Sequence, residues 1–250
     1  MPKILFLDTE TNELNDKALI QFAGIQVTYG PGQVFKAFKD IFVKLPAGKK
    51  ISLMAMSVNH ITEEDLEHKW RPLEDVIPEV NGFLKDCILV AHNADYDKAV
   101  LKKNGFYIDE SQWIDTYTVA YNLWDESEVE NYQLQYLRYF LKLKFPMETI
   151  IPHDALSDVK VLEKVFDAMY EKIRKESWSE EDILSSMIDQ TTKWIILRQF
   201  SFWQYQWKKI SDIAKTDPWY ISRLYKSENS KPEATRNKNM IRTLESFIYW

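Results

Sequence analysis

Cysteine is almost missing from this chain of 250 residues: Cys87, inside the apolar run CILVA, stands by itself. One thiol excludes disulfide stapling and a cysteine-based zinc site, and its apolar neighbours place it in a core. Glycine is scarce too, at 6 residues, and no low-complexity tract interrupts the sequence. What is present, 45% hydrophobic and 14% aromatic residues, describes a soluble globular protein with a sizeable core. No apolar run approaches the ~20 residues needed to cross a bilayer, so no membrane partner is expected. A strand pattern starts at the first residues and leaves no room for a signal peptide. The expected location is the cytoplasm.

Positive charge is in short supply overall, with a net charge of −6, which argues against indiscriminate binding to polyphosphate. The deficit is uneven. Residues 191–250 carry 11 lysines and arginines against 5 acids, a net +6, which leaves residues 1–190 at −12. A tail of opposite sign suits an anionic partner, and equally well a solvated helical face.

The first 170 residues alternate strand and helix patterns. KILFLDTE, LIQFAGIQVTY and VFKAFKDIFVKL are rich in β-branched and aromatic residues, with turns such as GPG between them. PLEDVIPEVNGFLKD has apolar positions at helical spacing, and CILVAHN reads as a short buried strand. DYDKAVLKKNGF predicts a helix ended by Gly105, QWIDTYTVAYNL a strand running into a helix. NYQLQYLRYFLKL and DVKVLEKVFDAMYEKIRK are amphipathic. Three hairpin-like strands followed by β-α-β alternation predict an α/β fold, a mixed sheet flanked by helices. The texture changes near residue 178, so the expected division is 1–178 and a small, mostly helical C-terminal module, 179–250.

Three places hold acids where strands end or helices begin. Asp8 and Glu10 lie two apart on the first strand, hence on one side of the sheet. That is the carboxyl end, where open α/β sheets build ligand sites. Alone, such a pair is common by chance. In VAHNADYDKAVL, Asn93 suits an N-cap, while Asp97 sits inside the first turn, on the face leading to Val100 and Leu101. In PHDALSDVKVL, His153 precedes Asp158 by five residues. Taken singly, Asp158 could merely favour a helix dipole, and His153 could be an ordinary loop residue.

Together these stretches resemble the DnaQ-like 3′–5′ exonucleases of the DEDDh group, within the ribonuclease H-like superfamily, over roughly residues 3–170. FLDTET carries Asp8 and Glu10, HNADYD matches H-N-A-x-F-D with Asp97, and HDALSD matches H-x-A-x-x-D with His153 and Asp158. VNHITEEDL is similar to the family's H-G-I-T segment through His60, Ile61 and Thr62, and IDT at 114–116 matches a common strand end. The resemblance implies two Mg²⁺ or Mn²⁺ ions, about 3.5–4 Å apart, clamping an in-line phosphoryl displacement. Asp8, Glu10 and Asp158 would hold the ion that activates water, Asp8 would bridge to the second, and Asp97 would complete the set. His153 would be the general base, since imidazole titrates near neutral pH. Thr9, Thr11, Leu14, His60 and Asn93 would be substrate neighbours, with Glu13 standing where the family usually has glycine.

FWQYQWKKISDIAKTDPWYISRLY resembles the small C-terminal module of exodeoxyribonuclease X-type proteins at Ile210, Ile213, Asp217, Pro218, Tyr220 and Leu224, although WQYQWKK replaces that module's glycines. Basic residues interleaved with aromatics suit single-stranded nucleic acid, and Trp203, Tyr205 and Trp207 are the candidate stacking rings; most other tail aromatics are expected in its core. The resemblance thus implies a nuclease releasing nucleoside monophosphates from single-stranded or frayed DNA 3′ ends, in repair, replication or proofreading. RNA as the substrate, a polymerase or other protein partner for the module, a homodimer, and an inert pseudo-nuclease remain open at this stage.

Overall fold

The computed structural model describes residues 3–30, 33–67, 69–125, 127–145, 150–174, 178–193, 195–200, 203–206, 208–232 and 236–248. The chain forms two compact units, residues 1–125 with 129–191 and residues 126–128 with 192–250.

The first unit is built on three long strands, β1 (Lys3–Thr11), β2 (Leu19–Gly30) and β3 (Gln33–Val43), paired antiparallel in chain order. Two short helices, α1 (Leu53–Asn59) and α2 (Glu63–Leu66), lead to the two-residue β4 (Trp70–Arg71) and to α3 (Leu73–Leu84). The β-α-β part then runs β5 (Cys87–Ala91), α4 (Asp95–Lys103), β6 (Trp113–Asp115), α5 (Thr116–Leu123), α6 (Leu134–Phe140), α7 (Ala155–Ile173) and α8 (Glu180–Thr192). The six strands form one mixed sheet in the order β4-β3-β2-β1-β5-β6, with β5 parallel to both β1 and β6. This is the ribonuclease H-like arrangement.

Alternation along β1 decides what each face receives. Leu5 and Leu7 join a core with Val76 and Val80 of α3 and Val100 and Leu101 of α4. Phe6 points the other way and meets Phe166 of α7 edge-on, ring centroids 5.1 Å apart. Asp8 and Glu10 continue the Phe6 row toward the start of α7. Their partners on β2 are Ala23 and Gln21. Every residue of β5 is buried, Cys87 included. Gly105, at φ 83°, closes α4 in the left-handed region that glycine enters without strain.

The units divide at 191 rather than near 178. Helix α8 explains the difference: it buries Ile183, Leu184 and Met187, and the Thr191 hydroxyl accepts the Asp115 N–H at the end of β6 at 2.8 Å. A polar-looking helix thereby completes the first unit.

The second unit contains α9 (Ile210–Thr216), α10 (Pro218–Ser230) and α11 (Lys238–Ile248). Its core is Phe200, Ile210, Ile213, Tyr220, Ile221, Leu224, Met240 and Leu244, so most of the residues that resemble the X-type module are packing positions. Tyr205 belongs to this packing as well. Its ring lies 4.8 Å from Tyr220, and its hydroxyl donates to Asp217 at 2.8 Å. Trp207 and the side chain of Trp203 lie outside the described residues. No helix among the described residues is long and apolar enough to cross a membrane.

Candidate active site

Three carboxylates meet where β1 passes the start of α7. Asp8, Glu10 and Asp158 each offer an oxygen, and these oxygens all lie within 4.8 Å of one another. Asp158 is in the first turn of α7, which begins at Ala155; Asp154 is the N-cap, accepting the Ser157 N–H at 3.0 Å. The helix therefore starts earlier than Asp158, and its positive end faces the acids.

Asp97 stands next to this group rather than inside it. It is 2% exposed, and its Oδ1 accepts the Thr9 hydroxyl at 2.7 Å. Asn93 differs from its expected role as N-cap. It holds a left-handed backbone at φ 65°, and its N–H donates to Asp115 Oδ1 at 2.8 Å. Ala94 is the N-cap and makes no side-chain bond. The Asp115 carboxylate, reaching over from β6, fixes this turn instead.

Uncompensated charge dominates the electrostatics. Burial, with Asp97, Glu10 and Asp158 adding repulsion, holds the Asp8 carboxyl well above its usual range. Burial and the charges of Asp158 and Asp97 push Glu10 up to about 8, against a weaker pull from the Asn59 amide. Burial raises Asp97 to about 7, despite the Thr9 hydroxyl. Burial also raises Asp158, against bonds from His153 and Gln135. Buried carboxylates aimed at one another need a cation. An all-oxygen donor set suits a hard divalent one.

His153 carries a left-handed backbone, φ 62°, uncommon for a residue with a side chain. Its N–H donates to Asp158 Oδ2 at 2.9 Å, which ties the loop to the acid while the imidazole stays exposed. Two glutamines that the sequence reading passed over hold the same corner. Gln135 of α6 donates to Asp158 Oδ1 at 2.5 Å. Gln21, fully buried, donates to Asp40 at 2.9 Å and Asp154 at 3.2 Å and accepts the Ala155 N–H at 3.3 Å. Its signal was available: one polar residue inside the apolar run LIQFAGI. Gln135, on an amphipathic helix, gave none.

The expected substrate neighbours fall into two groups. Thr9 and Thr11 are buried with engaged hydroxyls, Thr11 bonding Tyr96 Oη at 2.7 Å. Leu14, His60 and Asn93 are exposed. His60 caps α1 in a left-handed conformation, and its buried neighbour Asn59 donates to the Thr11 carbonyl at 3.3 Å.

The family model described as Exonuclease (RNase T) matches residues 5–166. Exodeoxyribonuclease 10 of Escherichia coli strain K12 is 28% identical over 228 residues, 90% of this chain and 91% of its own length. The PolC-type DNA polymerase III of Thermotoga maritima is 30% identical over 194 residues, 74% of this chain but 13% of that polymerase. Among solved structures, exonuclease X in complex with 5′ overhanging duplex DNA is 26% identical with a TM-score of 0.56, covering 76% of this chain and 99% of that one. Escherichia coli exonuclease I with a dT13 oligonucleotide, at 17% identity and a TM-score of 0.53 over 70% of this chain and 42% of that one, shares the fold.

Proposed function

The chain belongs to this DnaQ-like exonuclease family, and from that premise we propose that it is a divalent-metal-dependent 3′–5′ exonuclease acting on single-stranded or frayed DNA ends. The observation that carries the reading is the cluster of Asp8, Glu10 and Asp158 oxygens within 4.8 Å, with Asp97 charged against it and His153 bonded to one of its members. DNA is favoured over RNA by the relatives: an exodeoxyribonuclease that the chain matches over nearly its whole length, and a DNA polymerase.

Asp8, Glu10 and Asp158 would hold Mg²⁺ or Mn²⁺, and Asp97 would complete the set for a second ion. The bound cations supply positive charge that acidifies water and offsets the charge developing on the phosphate. His153 takes the proton from the attacking water; its exposed ring can pass that proton to solvent. The new P–O bond forms as the bond to the 3′ oxygen of the penultimate nucleotide breaks. That oxygen takes a proton from solvent water as it leaves, and a nucleoside 5′-monophosphate is released. Gln135 and the His153 N–H aim Asp158, while Leu14 and His60, both exposed, would meet the terminal nucleotide.

Product analysis tests this reading. With Mg²⁺ and single-stranded DNA, the wild type should release nucleoside 5′-monophosphates, and Asp8→Asn should release none. Release of 3′-monophosphates, or substantial turnover by the variant, overturns the proposed roles.

A further inference from the structure

The second unit has a surface for which the acid cluster has no use. Its residues, 126–128 and 192–250, hold 11 lysines and arginines against 7 acids, a net +4. Helix α10 buries Tyr220, Ile221, Leu224 and Glu228. On its other side Trp219, Arg223 and Lys226 recur at intervals of four and three, the spacing of one helical stripe. Trp219 is 68% exposed, the reverse of what a large aromatic does for a small core. The Arg223 guanidinium lies 4.8 Å from its ring centroid and 5.8 Å from that of Tyr220, so a cation stacks on one face of the indole.

Among the described acids of α9, α10 and α11, three are engaged elsewhere, and of these Glu245 of α11 accepts the Tyr225 hydroxyl at 3.1 Å. Asp217 is occupied by the Tyr205 hydroxyl and the Tyr220 N–H, and Glu228 is buried with Lys231 as its partner. Asp212 is the exposed acid of α9 and α10, and Lys215 follows it one turn later.

We propose that this face of α10 is a second nucleic-acid site, which takes single-stranded polynucleotide. Trp219 stacks on a base, and Arg223 and Lys226, with Lys215 at the end of α9, meet phosphates. A flat exposed indole flanked by cations is the combination that binds strands without regard to sequence. The site stands beside the exonuclease reading rather than on it. Its benefit to cleavage needs no particular placement of the units, since tethering alone raises the local concentration of a strand.

The experiment measures full-length protein and a labelled dT30 strand by fluorescence anisotropy in EDTA. Without metal the acid cluster offers phosphate no cation, so the signal reports the basic unit. Trp219→Ala should weaken binding roughly tenfold, in the range of one lost base stack, and Trp219→Phe should restore most of it. Arg223→Ala with Lys226→Ala should flatten the log–log salt slope by about 1.4, at ~0.7 per phosphate contact. All three residues are exposed, and unchanged thermal unfolding confirms that the variants fold. Unaltered affinity and slope would overturn the proposal. So would equal competition by polyglutamate, which would assign the face to an acidic protein. If the wild type failed to cleave DNA while these variants still lost binding, the exonuclease reading would fall and this site would stand.

Discussion

At the scale of single residues, the acids carry opposite obligations to folding and to chemistry. Asp8 and Asp158 face other carboxylates, so Asp158→Asn should abolish cleavage yet raise the melting temperature in EDTA at pH 8. A lower melting temperature would show that the charge is compensated within the protein. Gln135 is a positioning residue by the same logic. Gln135→Ala should raise the Mg²⁺ concentration needed for half-maximal activity about 10–100-fold, the usual loss when an outer partner of a metal ligand is removed. An unchanged metal requirement would demote its 2.5 Å bond to Asp158. The motif acids were legible because charge at a strand end or helix start stands out against apolar surroundings. Gln135 and Asn59 were not, since an amide bonded to another element leaves no pattern in its own.

Among the elements, the start of α7 is the piece to perturb. Its N-terminal turn is anchored to β2 and β3 through Gln21, Asp40 and Asp154. Gln21→Leu leaves the Ala155 N–H and two carboxylates short of a buried partner, at a cost of about 1–3 kcal/mol. Melting should fall accordingly, and kcat should drop more than KM rises, because Asp158 and His153 shift together. Equal effects on both constants would point to a general loss of fold. The strands and the two faces of the sheet were readable from alternation and β-branched runs. The turn at Asn93 was misread because its cap, Asp115, comes from a strand 22 residues later, and local pattern does not register such a partner. Helix α8 reads as part of the tail for a related reason: its attachment includes a hydroxyl bond to β6 and three buried apolar side chains, and neither leaves a local pattern.

For the whole molecule, the raised acids link stability to pH. An acid whose folded pKa lies above its unfolded value binds more protons when folded, so stability falls as pH rises through that interval. Glu10, near 8, and Asp97, near 7, extend this fall to about pH 8. Burial depresses His92 to about 4, which works the other way but ends near pH 6.5, its unfolded value. Between pH 6.5 and 8 the metal-free protein should therefore lose stability, and Mg²⁺ should restore more of it at pH 8 than at pH 6.5. Melting curves in EDTA that stay flat or rise over that range would contradict the raised acids. The central claim is that Asp8, Glu10, Asp97, His153 and Asp158 together degrade DNA from its 3′ end. Its most direct test uses 5′-labelled single-stranded DNA and matching RNA, with the wild type in Mg²⁺ and in EDTA, and with His153→Ala in Mg²⁺. The account predicts a ladder shortening from the 3′ end on DNA, lost in EDTA and much weakened in the variant. Immediate release of the labelled nucleotide, cleavage that persists in EDTA, or digestion of RNA alone would contradict it.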